Sequence, residues 1–442
     1  MKKLLVCISL LFTLLTPNDI LPQVINDKRL FTIENISIEG NKKTRSSVIF
    51  ENLPFKIGDE LTEPEIHAGV ENLRKTNFFK EVKLQPRAGS EPGKIHLIIQ
   101  VKERYFPYLQ FKGGFSELNG WYLTPVSLNL DNIFGLGNFT SIDLTFGDRV
   151  TSLSLNYINP DIFDSDLDFY FKMKVQSLQF LNYIDDQRFV HQVPQAGYFL
   201  GIRSRQKFFK HFLFGWEFYS TIPDSFLLYP DLKEKYYDLP EVIAKYSMER
   251  QLTSAFSVYF DFDKRDQPYY PGRGWWMGMW LTQSEELGDA KIKFTRVIFD
   301  IRKYQNIFSN FVVATRLKFG SISANAPFYE KFYLGGPNSL RGYDDRSLSP
   351  IGGGERLLQG GLELRFPITN KNFPEHFLTG VLFFDSGANL LAGEKLNKEK
   401  FYSSYGFGLR FRLPFIKLLR MDFAYPINGQ EGRVQFSLGH TF

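Results

Sequence analysis

The stretch GGPNSLRGYDDRS, Gly335–Ser347, sets Arg341 between a glycine-rich lead and the pair Gly342–Tyr343, with Asp344, Asp345 and Arg346 directly behind. Residues of these types suit phosphate binding, metal binding or ion pairing. Gly335 and Gly336 with Gly352–Gly354 have the flexibility of a phosphate cradle, but no GK[ST] follows and no helix start stands behind them. Asp344 and Asp345 share their run with an arginine and read as a solvated loop rather than a metal site. The six histidines are scattered without HExxH, and no GxSxG occurs, so zinc and serine hydrolases lack their machinery. What remains is non-covalent. A guanidinium offers a rigid fork of donors to carboxylates, which suits holding a segment in place rather than turning over a substrate. No enzyme activity and no cofactor are expected.

The elements that must position Arg341 are signalled by composition. The chain has 442 residues, of which 46 are Phe, 22 Tyr and 5 Trp, an aromatic fraction of 17% that exceeds what a soluble core needs. Aromatic girdles at two membrane interfaces would absorb it. The mean hydropathy of -0.22 does not argue against a membrane, because spanning strands alternate lipid-facing and lumen-facing residues and dilute the average. The N-terminus, MKKLLVCISLLFTLLTP, reads as a secretory leader over residues 1–22. Its apolar run is shorter than the ~20 residues of a spanning helix, and no later segment reaches that length, so further spanning must use strands. The single cysteine, Cys7, lies in that leader, which suits an oxidising periplasm. The formal charge of +5, part of which leaves with Lys2 and Lys3, is too mild to imply nucleic acid.

Residues 30–104 read as a small α+β domain of order β-α-α-β-β. FTIENISIEG alternates as a strand, TRSSVIFENL suits a short helix, and TEPEIHAGVENLRKT has Thr62 as N-cap with Glu65 closing a capping box. Ile66, Val70 and Leu73 fall on one face of that helix, and KEVKLQP and KIHLIIQVKE read as strands around a turn at 89–93. Over residues 105–442 the period becomes two. Phe256, Val258, Phe260 and Phe262 share one face with Ser257, Tyr259, Asp261 and Asp263 opposite; Tyr405, Phe407, Leu409, Phe411 and Leu413 oppose Gly406, Gly408, Arg410 and Arg412. Two successive inward arginines would be costly in a dry sandwich core. A watery lumen is expected to remove that cost. Short turns near 203–206, 305–310 and 415–417 alternate with long polar connections near 222–247, 323–355 and 390–400, as in outer-membrane barrels. The reading is mainly β: a 16-stranded transmembrane antiparallel β-barrel behind the small domain, with both chain ends of the barrel on the short-turn side.

The segments LTEPEIHAGVENLRKTNFFKEVKL and IHLIIQVKER, with Gly40, Gly58 and Phe78–Phe79, resemble a POTRA domain. NLDNIFGLGNFTSIDLTFG, DFDKRDQPYYPGRG, LRGY, GGLELRFPI, FFDSG and the terminal VQFSLGHTF, in this order, resemble the BamA/TamA family of outer-membrane protein assembly factors. The resemblance implies that the loop motif Leu340, Arg341, Gly342 and Tyr343 folds back into the barrel and docks on acidic residues of the inner wall. Strand alternation turns Glu363 and Asp385 inward, beside lipid-facing Leu362, Leu364 and Phe384, and makes them the expected partners of Arg341. Closure pairs a first strand near 107–115 with a last strand near 433–442. Gly113 and Gly114 on one side and Gly439 on the other thin the packing of that seam, which also carries Phe436 and Phe442. The implied role is insertion and folding of other barrels by templating strands at the seam, with the POTRA-like domain docking substrate. The expected partners are unfolded outer-membrane β-barrel proteins, the lipid bilayer, and periplasmic chaperones or accessory lipoproteins, with no nucleic acid. An export channel of the two-partner secretion type and a passive structural barrel are the alternatives. The principal assembly subunit of that family carries five POTRA modules and the translocation-assembly relative three; one is read here, which points to an accessory or lineage-specific paralogue.

Overall fold

The computed structural model describes residues 30–438 except 106, 117–119, 161, 163–164, 166, 185–186, 205–210, 224–248, 268–269, 309, 369–376 and 413–417. The leader, Gly439, Phe442 and the short turn at 415–417 lie outside the described residues, as does most of the long connection at 222–247. The chain divides into two units, one built around Ser46–Arg104 and one around Tyr105–Phe442.

The first unit is a four-stranded sheet of order β2-β1-β4-β3, formed by β1 (Phe31–Glu39), β2 (Glu60–Leu61), β3 (Phe79–Ala88) and β4 (Lys94–Glu103), with helices α1 (Ser46–Glu51) and α2 (Glu63–Lys75). Helix α2 starts at Thr62, whose N–H and hydroxyl both donate to Glu65 Oε2, at 2.8 and 2.7 Å. Its stripe of Ile66, Val70 and Leu73 is buried, as are Ile33 of β1, Val82 of β3 and Leu97 and Ile99 of β4. The β-α-α-β-β reading needs one correction. A further two-residue strand, β2, pairs antiparallel with Phe31 and Thr32, and a segment so short carries no periodicity to announce it.

The second unit is a 16-stranded antiparallel sheet in strict sequence order, from β5 (Tyr108–Ser116) to β20 (Arg433–Leu438). Alternation sorts its residues. Leu153, Met173, Val175, Phe256, Leu317, Leu362, Phe384 and Phe407 stand out on the exposed face, while Arg316, Glu363, Asp385 and Arg410 are buried on the other. No described helix is long and apolar enough to cross a membrane, and the apolar outer face supplies that contact from strands. The longest described strands run well beyond the 9–11 residues a membrane requires: β9 (Leu167–Ile184) and β10 (Gln187–Ser204), 18 residues each. Since Val150 of β8 (Val150–Asn159) pairs with Leu178, the hairpin beyond that register rises above its β8 neighbour.

The 323–355 connection, between β15 (Phe311–Ile322) and β16 (Arg356–Pro367), is what the sheet surrounds. Its Phe328 meets Phe180 of β9 edge-to-face, with centroids 5.7 Å apart, while its Arg341 bonds Asp385 on β17 (Leu378–Leu390). One segment touches both stretches only if the sheet curls around it. The end strands agree, since Cα atoms of β5 and β20 come within 8 Å of one another. No ladder joins those two strands among the described residues.

Helix α2 supports the first unit by its buried stripe, so Leu73→Ala is expected to destabilise that unit by about 2–5 kcal/mol. Urea unfolding of the full chain in detergent, followed through the unit's helical circular dichroism, measures this; a loss below the ~0.5 kcal/mol of an ordinary surface change would contradict it.

Candidate functional site

Arg341 is fully buried, and the groups that receive it come from three strands. Its Nε and Nη2 donate to Asp385 Oδ2 and Oδ1 at 2.6 and 2.8 Å, a two-pronged contact, while Nη1 donates to Glu363 Oε1 of β16 at 2.7 Å. Asp422 of β19 (Leu419–Pro426) stands 3.7 Å from Nη1, and the guanidinium lies over the Phe383 ring, 3.6 Å from its centroid. Burial by itself would push this guanidinium pKa down. Asp385 first, then Glu363 and Asp422, outweigh burial and hold it above the ordinary arginine value, so the side chain stays a cation.

The carboxylates are shared. Arg365 of β16 donates to Glu363 Oε2 at 2.9 Å; Arg410 of β18 (Tyr402–Phe411) lies 2.6 Å from Asp422 and 3.4 Å from Glu363; Arg420 lies 3.8 Å from Asp422. This corrects one expectation. Arg410 does not rely on water in a wet lumen: it is buried, and fixed carboxylates neutralise it. Arg412 stacks over Tyr270 at 3.5 Å.

The rest of the motif is held as closely. Leu340 and Tyr343 are buried with Leu334, Phe332, Phe294 and Leu357. The Tyr343 hydroxyl donates to the Ser403 carbonyl at 3.0 Å, and the Gly342 N–H donates to Gln435 Oε1 of β20 at 3.0 Å. Gly336 sits at φ +102°, where a Cβ would collide with the Asp345 carboxylate, which is why the lead into the motif is glycine.

On the opposite wall, Phe328 and Tyr329 pack with Val150, Leu178, Phe180 and Val193. Between these rings and the motif, Glu330 accepts from Tyr219 Oη of β11 (His211–Thr221) at 2.7 Å and from Arg296 Nη1 of β14 (Phe294–Phe308) at 2.5 Å. Arg346 lies over the Phe180 and Tyr333 rings at 4.4 and 4.8 Å, and its burial pushes its pKa down to about 10. The connection therefore bridges the interior from β8–β11 to β16–β20.

The structure brings Leu340, Arg341, Gly342, Tyr343, Glu363 and Asp385 together. Gly113 and Gly114 lie on β5, opposite Leu123 and Tyr122 of β6 (Gly120–Asn129). Phe436 stands on the exposed face of β20. Sequence reasoning missed Asp422, Arg365, Arg410 and Arg420 as neighbours of Arg341, and missed Gln435 and Glu330 altogether. For Asp422 a signal existed: in LRMDFAYP, Met421 and Phe423 face out, so the rule that turned Glu363 inward turns Asp422 inward too.

A curled sheet of sixteen strands with an apolar outer face and a charged inner one, in a chain that also carries a small α+β module, defines an outer-membrane β-barrel protein with a periplasmic POTRA domain. The Omp85 superfamily domain matches residues 132–442, and a POTRA domain, described as a surface antigen variable number repeat, matches residues 31–104; the chain belongs to the Omp85 superfamily. The outer membrane protein assembly factor BamA of Nitratidesulfovibrio vulgaris is 25% identical over 95% of this chain and 52% of its own length. The human sorting and assembly machinery component 50 homolog is 28% identical over 43% of this chain and 46% of its own. The chain spans about half the length of the curated relatives it matches. In fold it is similar to BamA from Haemophilus ducreyi lacking POTRA domains 1-3, with a TM-score of 0.71 at 18% identity, covering 92% of this chain and 83% of that one. CdiB from Acinetobacter baumannii gives 0.53 at 14% identity, covering 93% and 74%.

Removing the cation leaves the buried Asp385 carboxylate without its guanidinium and takes from Glu363 one of its arginine partners, so Arg341→Ala is expected to cost about 3–5 kcal/mol. Arg341→Ala with Asp385→Ala is expected to cost at least about 1 kcal/mol less than the sum of the single changes. Unfolding midpoints of the four proteins in detergent, read by electrophoretic mobility, give the coupling; simple additivity would refute a direct pair.

Proposed function

We propose that the protein assists the insertion and folding of β-barrel proteins in the outer membrane, and that it does so at the seam between β5 and β20. The observation that carries this reading is the pair of neighbouring end strands that share no ladder among the described residues. A strand edge without a partner presents a row of N–H and C=O groups that an incoming strand satisfies before it meets lipid. Gly113 and Gly114 reduce packing on the β5 side, which eases parting of the seam. Two curated relatives that match more than nine tenths of this chain are assembly factors by name.

In the first unit, β3 is the edge of its sheet, and a groove beside it is lined by His67, Val70 and Arg74 of α2 and Val82 and Leu84 of β3. An extended substrate segment fits there by strand addition, with the groove taking alternate side chains. A passive pore is disfavoured, because the 323–355 connection crosses the interior. An export channel shares the fold and stays the rival reading.

The test places the purified protein in liposomes and follows the folding of a urea-denatured reporter barrel. Faster folding than in empty liposomes, weakened by Arg341→Ala, is the expected outcome. No acceleration, accompanied by secretion of a linked substrate or by ion conductance, overturns the reading in favour of a channel.

A further inference from the structure

We infer that Gln435 is a latch that ties the seam strand to the docked loop, so that the loop, through this residue, sets the position of the strand that meets an incoming substrate. The inference rests on the barrel-assembly reading and adds a positioning residue to it.

Strand β20 has a ladder on one side only among its described residues, from Leu419↔Leu438 to Ala424↔Arg433 of β19. Such an edge strand frays easily unless something else holds it. What holds β20 is the loop. Its outward residues Val434 and Phe436 are exposed, whereas each residue turned inward meets the segment 338–344. Arg433 pairs with Asp344, and Ser437 Oγ donates to Asn338 Oδ1 at 3.2 Å. Between them Gln435 accepts the Gly342 N–H at 3.0 Å and donates through Nε2 to the Tyr343 carbonyl at 2.9 Å.

A side-chain amide carries a donor and an acceptor side by side, as a peptide group does. Gln435 therefore binds the loop backbone much as a neighbouring strand would. The loop has no slack at this point. Gly342 has φ +88°, and a Cβ there would press on Pro426 and Ala424 of β19 at 3.3 and 3.4 Å. Arg341, one residue earlier, is fixed on Glu363 and Asp385, and Arg420 of β19 donates to the Pro337 carbonyl at 3.2 Å. Docking of Arg341 thus reaches β20 through a short rigid path that ends at Gln435. Because strand pairing is decided by register, holding β20 at one height presents its edge to substrate in one register.

The experiment uses the full chain in liposomes. Gln435→Leu keeps the bulk and removes both hydrogen bonds, so amide exchange across 433–438 is expected to speed up about tenfold, while β9 and β10 stay protected. Reporter-barrel folding is expected to slow in parallel. Gln435→Glu keeps the acceptor for Gly342 and loses the donor to Tyr343, so it falls between, and it carries the test if the leucine variant does not assemble. Adding Asn338→Cys and Ser437→Cys to Gln435→Leu restores the link as a disulfide: oxidation should return both exchange and folding rate toward wild type, and reduction should undo this. Unchanged exchange across 433–438, or a formed disulfide that restores neither readout, overturns the latch. Wild-type protein that fails to accelerate the reporter defeats the assembly reading instead, and the exchange measurement then decides the latch by itself.

Discussion

A permanently charged arginine with no exposed surface is the constraint from which the barrel interior follows. Its charge cannot be shed by deprotonation at any working pH, so burial demands fixed anions at hydrogen-bond distance. Asp385 and Glu363 meet that demand, with Asp422 close by. Those carboxylates in turn lie on inward positions of β16, β17 and β19 and must be neutralised where Arg341 does not reach, which accounts for Arg365, Arg410 and Arg420 around them. Gly342 belongs to the same constraint, since its backbone comes close to Pro426 and Ala424 of the wall where the neighbouring guanidinium docks.

The connection that carries Arg341 also unites two distant stretches of wall. Phe328 and Tyr329 bury apolar surface against β8–β10, Glu330 takes charged and hydroxyl donors from β11 and β14, and the motif takes β16–β20. Lipid contact is left to the outward residues, which are apolar and aromatic. The two faces of one sheet thus work in opposite solvents, and the mean hydropathy records neither.

Docking also reaches the seam. Assembly by strand templating requires an edge that is accessible yet held in place, and these needs conflict if a partner strand does the holding. Holding β20 from its inner face by side chains leaves its hydrogen-bonding edge for another strand. A loop that crosses the interior is therefore compatible with the proposed assembly role.

Much of this fold is legible in the sequence because its signals are local. Period two assigns each strand residue to a face, which is how Glu363 and Asp385 are recognised as inward. The capping box at Thr62 and Glu65 marks the start of α2, and motif order points to the superfamily. What the sequence left undecided is which inward residues meet. Asp422 is inward by the same rule, but its distance from Arg341 depends on the registers of β16 through β19 accumulated strand by strand. Gln435 meets the loop 92 residues away from its partner Tyr343, and Tyr219 meets Glu330 of the loop across 111 residues. Periodicity fixes a direction within one strand; only the curled path of the sheet, with the loop inside it, fixes the neighbours.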